Sequence, residues 1–574
     1  MNLILKEFRE KNGWTQEELA EKVGVSKGTI NRWEQRKSNP SKLATEKLIE
    51  LGINIGNLES NEEDFRLGNE REFNYNGQKY FVKPQPYVLN APSDQNYFHD
   101  LLITIQEQMN TSIPWDVYKK RLSMIEYVEP GTKTSQSILE KRKPDAKSWN
   151  SNYGTHGWHR YIGRFPPHLV RAILNYLNAG PNDIILDPFA GSGTTLVECR
   201  LLGIPAKGIE ISPLSALITR TKSKFPEIRQ VEILNIISEL EIFYQTEWSI
   251  FINNRSFEEI TYENIIEREG NIIEPFVNYE RWFSKEALLG VSIYIQFIQT
   301  KTGYIQDLLL VALSSKMRSI GNVDVDVVRA EYSKKPRENV DVFKIVKSQL
   351  AKMAKDISES YKTHELTITN NDKIQVIEGD ILQTNLPKGS ISHIITSPPY
   401  GVESISYLRT HLLSFRVLES FLSADPYTFG DNVIGSEYLP KEEPDISEFK
   451  VSSLSETFND FFKVIKEKET AEKHKIRILM MMKFFEDMNT VSLKFHEWLK
   501  ENGKVAFVIG NKKIGDTIIP TDQIIKEIFE SNGFIFESSI GHKLKTNNSN
   551  SQVPWQDKII KDEFIMLFTR GTNL

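Results

Sequence analysis

Residues 182–195, NDIILDPFAGSGTT, join an apolar run to a loop rich in glycine. An apolar run ends on Asp187 and passes directly into a loop that contains Gly191 and Gly193. A short apolar run followed by such a loop is typical of a buried β-strand that turns into a helix. Glycine loops in this position bind dinucleotides, triphosphates or a nucleoside that carries no phosphate.

The residues around the two glycines discriminate among these ligands. A phosphate-binding P-loop places Lys and then Ser or Thr after its second glycine, whereas Gly193 is followed by Thr194 and Thr195. A dinucleotide fingerprint has a third glycine where this sequence has Leu196. Asp187 would repel a pyrophosphate, so an acid here favours a cation such as the ammonium and sulfonium of S-adenosylmethionine.

A second acid ends the next predicted strand, AKGIEIS, residues 206–212. Glu210 follows the glycine loop by about twenty residues in the sequence. In nucleotide-binding βαβ units, an acid at this sequence separation accepts hydrogen bonds from the ribose hydroxyls. The order strand, loop, helix, strand and acid predicts a βαβ unit that binds a nucleoside. The alternative is an ordinary tight turn, which would require neither acid.

A further chemical signal is SHIITSPPY, residues 392–400, a β-branched run that ends in two prolines. The prolines remove two backbone donors and restrict the turn, which leaves the Pro398 carbonyl as an acceptor beside the Ser397 hydroxyl. Two acceptors that take both N–H bonds of a planar amine favour a pyramidal, more nucleophilic nitrogen. The ring of Tyr400 could stack on a base extruded from a duplex. The alternative is a proline turn at the end of a strand.

Together these motifs resemble those of the amino-methylating DNA methyltransferases, which modify N6 of adenine or N4 of cytosine. DPFAGSGTT and TSPPY resemble motifs I and IV of that family. HRYIGRFPPHLVRAILNYL (residues 159–177) resembles motif X, GIEISP motif II and IEGD motif III. The order X, I, II, III, IV is linear rather than permuted, and a long insertion separates motifs II and III.

The resemblance implies an α/β fold with a Rossmann-like class I S-adenosylmethionine-dependent methyltransferase sheet. Residues 149–220 would form its first part, with the cofactor motifs, and residues 371–574 its second part, with the catalytic motif. Residues 221–370 are predicted to be a helical insertion and a candidate target-recognition region.

Residues 59–148 are predicted to be a linker and accessory segment. Within it, EFNYNGQKYFVKP has Asn-Gly between alternating apolar residues and indicates a hairpin. FHDLLITIQEQM is interpreted as an amphipathic helix.

The resemblance also implies roles for single residues. Asp187 would contact the methionine amino group directly or through water, Glu210 the ribose and Asp380 the adenine amine. The cofactor site would comprise Arg164, Phe165, Asp187, Pro188, Phe189, Gly191, Ser192, Gly193, Thr194, Glu210 and Asp380. The target base would be held by Ser397, Pro398, Pro399 and Tyr400. In this family the Ser form of motif IV is associated more with N4-cytosine, which favours cytosine and leaves N6-adenine as the alternative.

The N-terminal stretch WTQEELAEKVGVSKGTINRWEQRKSNP, residues 14–40, predicts two short helices joined at Gly24. Apolar residues expected to face inward are Leu19, Ala20, Val23, Val25, Ile30 and Trp33. The stretch resembles the helix-turn-helix of phage-repressor-like proteins and predicts an all-α DNA-binding domain over residues 1–58. Residues expected to reach DNA are Gln16, Lys27, Gly28, Asn31 and Arg32. The alternative is a small helical bundle used for protein contacts.

Composition sets further bounds on function. The 574 residues carry a formal net charge of -6, which argues against a protein that coats nucleic acid nonspecifically. The single cysteine, Cys199, excludes an intramolecular disulfide and a multi-cysteine metal site, and its place in the predicted helix disfavours C5-cytosine chemistry. No spanning segment or secretory signal is expected, which predicts a cytoplasmic protein with no membrane partner. The expected chemistry needs no metal.

The sequence therefore predicts a site-specific DNA methyltransferase that acts on double-stranded DNA. It leaves open a cognate restriction or defence partner and the oligomeric state. Two rival functions are an RNA amino-methyltransferase and a transcription regulator that only senses the cofactor. The helix-turn-helix argues against the first, because the major groove of A-form RNA is too narrow for it. Intact motifs I and IV argue against the second.

Overall fold

The computed structural model divides the chain into two compact units, Met1–Glu70 with Pro84–Pro86, and Arg71–Lys83 with Tyr87–Leu574. The finer division into five segments stays a prediction. The structure describes residues 9–10, 12–34, 47–48, 51, 71–75, 78–87, 100–107, 152–177, 179–253, 255–324, 327, 329–368, 373–401, 407–422, 433–435, 450–469, 471–543 and 562–572.

The first unit contains the predicted helix pair, α1 (Gln16–Val23) and α2 (Lys27–Glu34). Thr15 caps α1 reciprocally with Glu18, and Gly24 ends it in the left-handed conformation with φ 77°. The predicted inward residues Leu19, Ala20, Val23 and Ile30 are buried, and Val25 packs against them. The side chain of Trp33 lies outside the described residues.

A three-stranded sheet precedes the methyltransferase motifs, with β1 (Arg71–Tyr75), β2 (Gln78–Tyr87) and β3 (Asp100–Glu107) in that order. The predicted hairpin is confirmed, because β1 and β2 pair antiparallel with Tyr75 opposite Gln78. The predicted helix in FHDLLITIQEQM is wrong, since its central residues form β3. The run Ile103–Thr104–Ile105 is β-branched, and β-branched residues favour a strand over a helix.

The core of the second unit is a seven-stranded sheet with the order β11-β12-β8-β7-β4-β5-β6. Its strands are β4 (Ile185–Asp187), β5 (Ala206–Glu210), β6 (Ile374–Glu378), β7 (Ile391–Thr396), β8 (Leu499–Gly510), β11 (Phe534–Lys543) and β12 (Asp562–Arg570); β9 (Lys513–Ile514) and β10 (Thr517–Ile518) pair separately. Strand β12 runs antiparallel to both neighbours, whereas the pairs among β8, β7, β4, β5 and β6 are parallel. The predicted α/β class is thus confirmed, with a mostly parallel central sheet.

Helices cover this sheet and build the region between motifs II and III. They are α3 (Pro167–Tyr176), α4 (Thr194–Leu202), α5 (Pro213–Ser223), α6 (Gln230–Ile252), α7 (Tyr262–Ile266), α8 (Tyr279–Trp282), α9 (Lys285–Gln299), α10 (Gly303–Ile320), α11 (Val342–Ile368), α12 (Tyr407–Thr410), α13 (Leu412–Leu418), α14 (Val451–Leu454), α15 (Glu456–Lys468), α16 (Glu472–Trp498) and α17 (Thr521–Ser531). None of the helices described here is long and apolar enough to cross a membrane.

The helices between motifs II and III share one hydrophobic core with those beside the glycine loop. Val197 of α4 and Leu217 of α5 belong to the same buried cluster as Leu240 of α6, Leu309 of α10 and Leu350 of α11. A continuous core of this kind resists relative movement, because its side chains interdigitate at near-crystalline density. The insertion is therefore built onto the cofactor half rather than attached by a linker.

The parallel strands bring the chemical motifs to one edge of the sheet. Strands β4, β5, β6 and β7 end at Asp187, Glu210, Glu378 and Thr396. The carboxyl ends of parallel strands lie on the same side, and ligands of open α/β sheets bind there. Because β4 lies between β5 and β7, motif I stands between motifs II and IV.

Candidate active site

The glycine loop joins β4 to α4 in a conformation that only glycine adopts readily. Gly191 and Gly193 have φ angles of 54° and 79°. A Cβ atom added at Gly193 would lie 2.8 Å from Cγ2 of Thr219, whereas one at Gly191 would come no closer than 3.6 Å to Tyr161. Gly193 is thus required by packing against α5, and Gly191 has the more open surroundings.

Asp187 is a buried carboxylate that is held by three hydrogen bonds. Its Oδ1 accepts from the Thr396 hydroxyl at 2.8 Å and from the Phe189 N–H at 3.2 Å, and its Oδ2 accepts from the Thr195 hydroxyl at 2.6 Å. Burial raises the pKa of Asp187 to about 6, although these hydrogen bonds oppose the rise. A carboxylate offers about four acceptor sites, so one remains for a ligand or a water.

Glu210 is the second buried carboxylate at this edge. Its two oxygens accept from the Gly191 N–H at 2.7 Å and the Ser212 N–H at 2.9 Å. Burial raises the pKa of Glu210 to about 7, and repulsion from Asp187 and Glu378 adds to the rise. The acid therefore fixes one end of the glycine loop while remaining next to other negative charge.

Helix α5 holds the glycine loop from behind. The Thr219 hydroxyl donates to the Gly191 carbonyl at 2.9 Å, and the Lys222 ammonium donates to the Ser192 carbonyl at 2.6 Å. Lys222 is fully buried, which lowers its pKa well below the usual value. The hydroxyls of Ser192 and Thr194 are buried without a hydrogen-bond partner among the described residues.

Motif IV lies directly after β7, beside the glycine loop. The Ser397 hydroxyl and the Tyr400 hydroxyl are 3.0 Å apart. Pro398 is buried, whereas Ser397, Pro399 and Tyr400 are partly exposed. Thr396, which precedes Ser397, bonds to Asp187, so the structure brings motifs I and IV into direct contact.

The remaining predicted cofactor residues occupy several places around this edge. Pro188 is buried and Phe189 packs, half-buried, against the core on the side of α16. Asp380 follows β6 and its Oδ1 accepts from the Leu382 N–H at 2.8 Å. Arg164 donates to the His156 carbonyl at 2.7 Å, and Phe165 is half-buried.

Residues 41–219 match the family described as DNA methylase, and residues 5–51 match the helix-turn-helix family. Over residues 41–219, the chain is therefore similar to the N6/N4 DNA methylase family. Enzymes of this family use S-adenosylmethionine as the methyl donor. The match over residues 5–51 adds a DNA-binding helix-turn-helix domain to this methyltransferase.

Similar proteins support the assignment over most of the chain. The methyltransferase is 23% identical over 432 residues to the Type II methyltransferase M.BsoBI of Geobacillus stearothermophilus. The aligned region covers 70% of this chain and 83% of that protein. It is 25% identical over 410 residues to the Type II methyltransferase M.MvaI of Kocuria varians, spanning 66% and 82% of the two chains. Its helix-turn-helix region is 56% identical over 41 residues to an uncharacterised HTH-type transcriptional regulator of Archaeoglobus fulgidus, 7% of this chain and 59% of that protein.

The residues at this edge fit S-adenosylmethionine. Two buried carboxylates flank a loop where a Cβ added at Gly191 would meet only ordinary van der Waals contacts, and the buried Ser192 and Thr194 hydroxyls lack a partner in the described part of the chain. Acids beside the loop suit a cationic ligand without phosphate.

Tyr161 lies beside the glycine loop and was not singled out from the sequence. Its ring is the nearest side chain to Gly191, and its hydroxyl is 2.9 Å from the Ser215 hydroxyl. It also stacks on His411 at 5.7 Å, downstream of motif IV. Tyr161 lies within the predicted motif X, but an aromatic residue in a loop carries no chemical signal of its own.

A buried cluster around Glu198 fastens motif X to α4. Glu198 accepts from Arg171 at 2.5 Å, from Tyr153 at 2.5 Å and from His156 at 2.7 Å. Burial alone would raise the pKa of Glu198, but these partners outweigh it and lower the pKa to about 2. Burial lowers the pKa of His156 to about 4. The cluster was not predicted, because acid and arginine lie on separate helices.

The predicted DNA-contacting residues of the helix-turn-helix occupy different environments. Gln16 is half-buried and donates to Glu34 at 2.6 Å, and Lys27 is exposed and pairs with Glu17 at 2.9 Å. Gly28 is exposed, Asn31 is half-buried, and the side chain of Arg32 lies outside the described residues. Their roles stay predictions.

Proposed function

We propose that this DNA methyltransferase transfers a methyl group from S-adenosylmethionine to the exocyclic N4 amine of a cytosine extruded from duplex DNA. The observation that carries the proposal is the contact between motifs I and IV. Thr396 bonds to Asp187 at 2.8 Å, so the proposed base-holding Ser397 follows directly on a residue anchored to the proposed cofactor acid. The methyl donor and the amine would then meet at one edge of the sheet, and proximity would supply much of the acceleration.

The sheet order supports a Rossmann-like class I methyltransferase fold. In that arrangement the strands that end in motifs I, II and III are neighbours, as β4, β5 and β6 are here, and an antiparallel strand, here β12, lies towards the other edge. The cofactor would lie over the ends of β4 and β5, with its amino group at Asp187 and its ribose at Glu210. The base would enter beside β7.

Three residues of motif IV have tasks in the proposed mechanism. The Ser397 hydroxyl and the Pro398 carbonyl accept the two N–H bonds of the amine and turn its lone pair towards the methyl group. Tyr400 stacks on the face of the base. Its hydroxyl lies 3.0 Å from the Ser397 hydroxyl and helps to orient that group. S-adenosylmethionine supplies the activated methyl group on a sulfonium.

Cytosine is favoured because the motif is Ser-Pro-Pro-Tyr, the form that the family associates with N4 methylation. Nucleoside mass spectrometry of DNA from a methylation-free host that expresses the enzyme would test this. N4-methylcytosine is the expected product. Detection of N6-methyladenine instead would show that the target base is adenine, the second candidate. Methyl transfer to total RNA, with none to duplex DNA, would refute the proposal.

We also propose that the insertion carries the target-recognition surface, at the loop between α10 and α11. Arg329, Lys334 and Lys335 of this loop are exposed. The Ala330 N–H donates to the Arg409 carbonyl at 2.9 Å, which ties the loop to the helix after motif IV. A duplex whose base enters beside β7 would pass these cations, which would neutralise its phosphates.

The helix-turn-helix is proposed to act separately, in autoregulation or as an accessory DNA anchor. Its residues form a compact unit of their own, and repressor-like modules read half-sites independently of a catalytic domain. Deletion of residues 1–58 followed by methylation mapping tests this. An unchanged methylated sequence is expected, whereas a shortened or altered sequence would assign the module to target specification.

A further inference from the structure

Thr396 occupies a position that connects the two halves of the proposed active site. It is the last residue of β7, it is fully buried, and it immediately precedes Ser397. Its hydroxyl donates to Oδ1 of Asp187 at 2.8 Å. No chemical role was predicted for it from the sequence, because a threonine at a strand end is ordinarily explained by β-propensity.

The backbone pairing shows why this side chain matters. The ladder between β4 and β7 ends with Leu186 opposite Ile394, whereas the ladder between β7 and β8 continues to Thr396 opposite Phe507. Beyond Ile394, the end of β7 thus keeps its pairing with β8 and leaves β4. The Thr396–Asp187 hydrogen bond spans the two strands past the end of their ladder.

Thr195 provides an internal comparison. Its hydroxyl donates to the other oxygen of Asp187 at 2.6 Å, and it is equally buried. Thr195 lies in the first turn of α4, on the cofactor side, and has no place in motif IV. The two threonines therefore stabilise the same carboxylate, but only Thr396 continues into the base-holding segment.

We propose that Thr396 is a positioning residue that couples the cofactor site to the base-holding loop. Its bond to Asp187 sets the distance between the carboxylate and Ser397, so a cation that pairs with Asp187 also fixes Ser397 for the amine. The coupling is reciprocal: a bound base that orders Ser397 strengthens cofactor binding by the same factor. This inference rests on the proposed function of Asp187 and Ser397.

The test compares Thr396→Val with Thr195→Val, two nearly isosteric changes that each remove one hydrogen bond from Asp187. Both should weaken binding of the cofactor analogue sinefungin to a similar extent. At saturating cofactor and DNA, Thr396→Val should lower the single-turnover rate by roughly tenfold or more, and Thr195→Val by much less. Thr396→Ser, which keeps the hydroxyl, should restore the rate.

A second readout is the coupling itself, measured as the factor by which sinefungin tightens binding of a duplex substrate. The factor should fall towards one in Thr396→Val and persist in Thr195→Val. Equal losses of rate and coupling in the two variants would overturn the proposal, because the hydroxyls would then act only through the carboxylate. Failure of both Thr396→Val and Thr396→Ala to fold, with Thr195→Val folded, would also overturn it and leave a structural role. The wild-type enzyme tests the proposed function separately, through methyl transfer to duplex DNA.

Discussion

The affinity for S-adenosylmethionine should depend on pH through Asp187. Its pKa is raised to about 6 by burial, so in the free enzyme a proton would compete for this carboxylate with the cofactor ammonium that we propose it binds. At pH 5 about one molecule in eleven carries the charge, against about ten in eleven at pH 7. The association constant should therefore fall about tenfold between pH 7 and pH 5, equivalent to ~1.4 kcal/mol.

A ligand without the amino acid separates this effect from that of Glu210. 5′-Methylthioadenosine keeps the ribose, so its binding senses the Glu210 carboxyl, whose pKa is about 7, but it has no ammonium for Asp187. We expect the ratio of the two association constants, from calorimetry, to fall about tenfold from pH 7 to pH 5. The ratio should keep this dependence in Glu210→Gln and lose it in Asp187→Asn. A ratio that stays constant in the wild type would refute the pairing of Asp187 with the amino group.

Further predictions concern the base, the buried cluster and the DNA surface. Tyr400→Ala should lose base stacking worth about 1–3 kcal/mol and slow single-turnover methylation, whereas Tyr400→Phe should retain most of the rate; equal rates in the two variants would contradict stacking. Glu198→Ala should lower the free energy of unfolding by about 3–5 kcal/mol, measured in urea, because the buried Arg171 loses its carboxylate partner, and a loss below about 1 kcal/mol would contradict this pairing. Replacement of Lys334 and Lys335 by Gln should reduce the slope of log affinity for DNA against log salt by about 1.8 without changing cofactor affinity, and an unchanged slope would remove the loop from the DNA surface.

The stability of the folded chain should also respond to pH, with opposing contributions. Asp187 and Glu210 have pKa values raised above their ordinary range, so the folded state binds their protons more tightly and their contribution to stability is lost as pH rises towards 7. His156 has a pKa lowered to about 4, so stability is lost as pH falls from about 6.5 towards 4, because the unfolded state takes up the proton first. Glu198, with its pKa lowered to about 2, adds a further loss below pH 4.5. Denaturant titrations at several pH values, with His156→Asn as the comparison, would separate the histidine contribution.

The positions of Asp187, Glu210 and Ser397 could be predicted because each follows a short apolar strand. Parallel strands collect their carboxyl ends at one edge, so strand ends alone bring these residues together. The partners that hold them could not be predicted in the same way. Thr396 and Asp187 lie 209 residues apart, and their contact depends on the register of β7 against β4.

The sequence misled where one pattern allows two structures. The run around Ile103 satisfied a helical periodicity, and its β-branched residues form β3 instead. The resemblance assigns Gly193 to the cofactor site, and the fold adds a constraint that the local sequence does not show, the close approach of Thr219 on α5. The strand follows from its β-branched residues, whereas the close approach of Thr219 to Gly193 depends on packing between distant segments.

The electrostatics of the sheet edge answer which ligand the glycine loop takes. The first turn of α4 offers N–H groups that suit an anion, and a phosphate would be expected from that feature alone. Asp187, Glu210 and Glu378 end three adjacent strands, and burial, with repulsion from the other two acids added to it, raises the pKa of Glu210. The neighbouring buried amine, Lys222, is bonded to the Ser192 carbonyl, and burial disfavours its charged form. A phosphate would add to this repulsion, whereas an ammonium and a sulfonium would relieve it, so we infer that the acids outweigh the helix terminus and favour a cationic nucleoside.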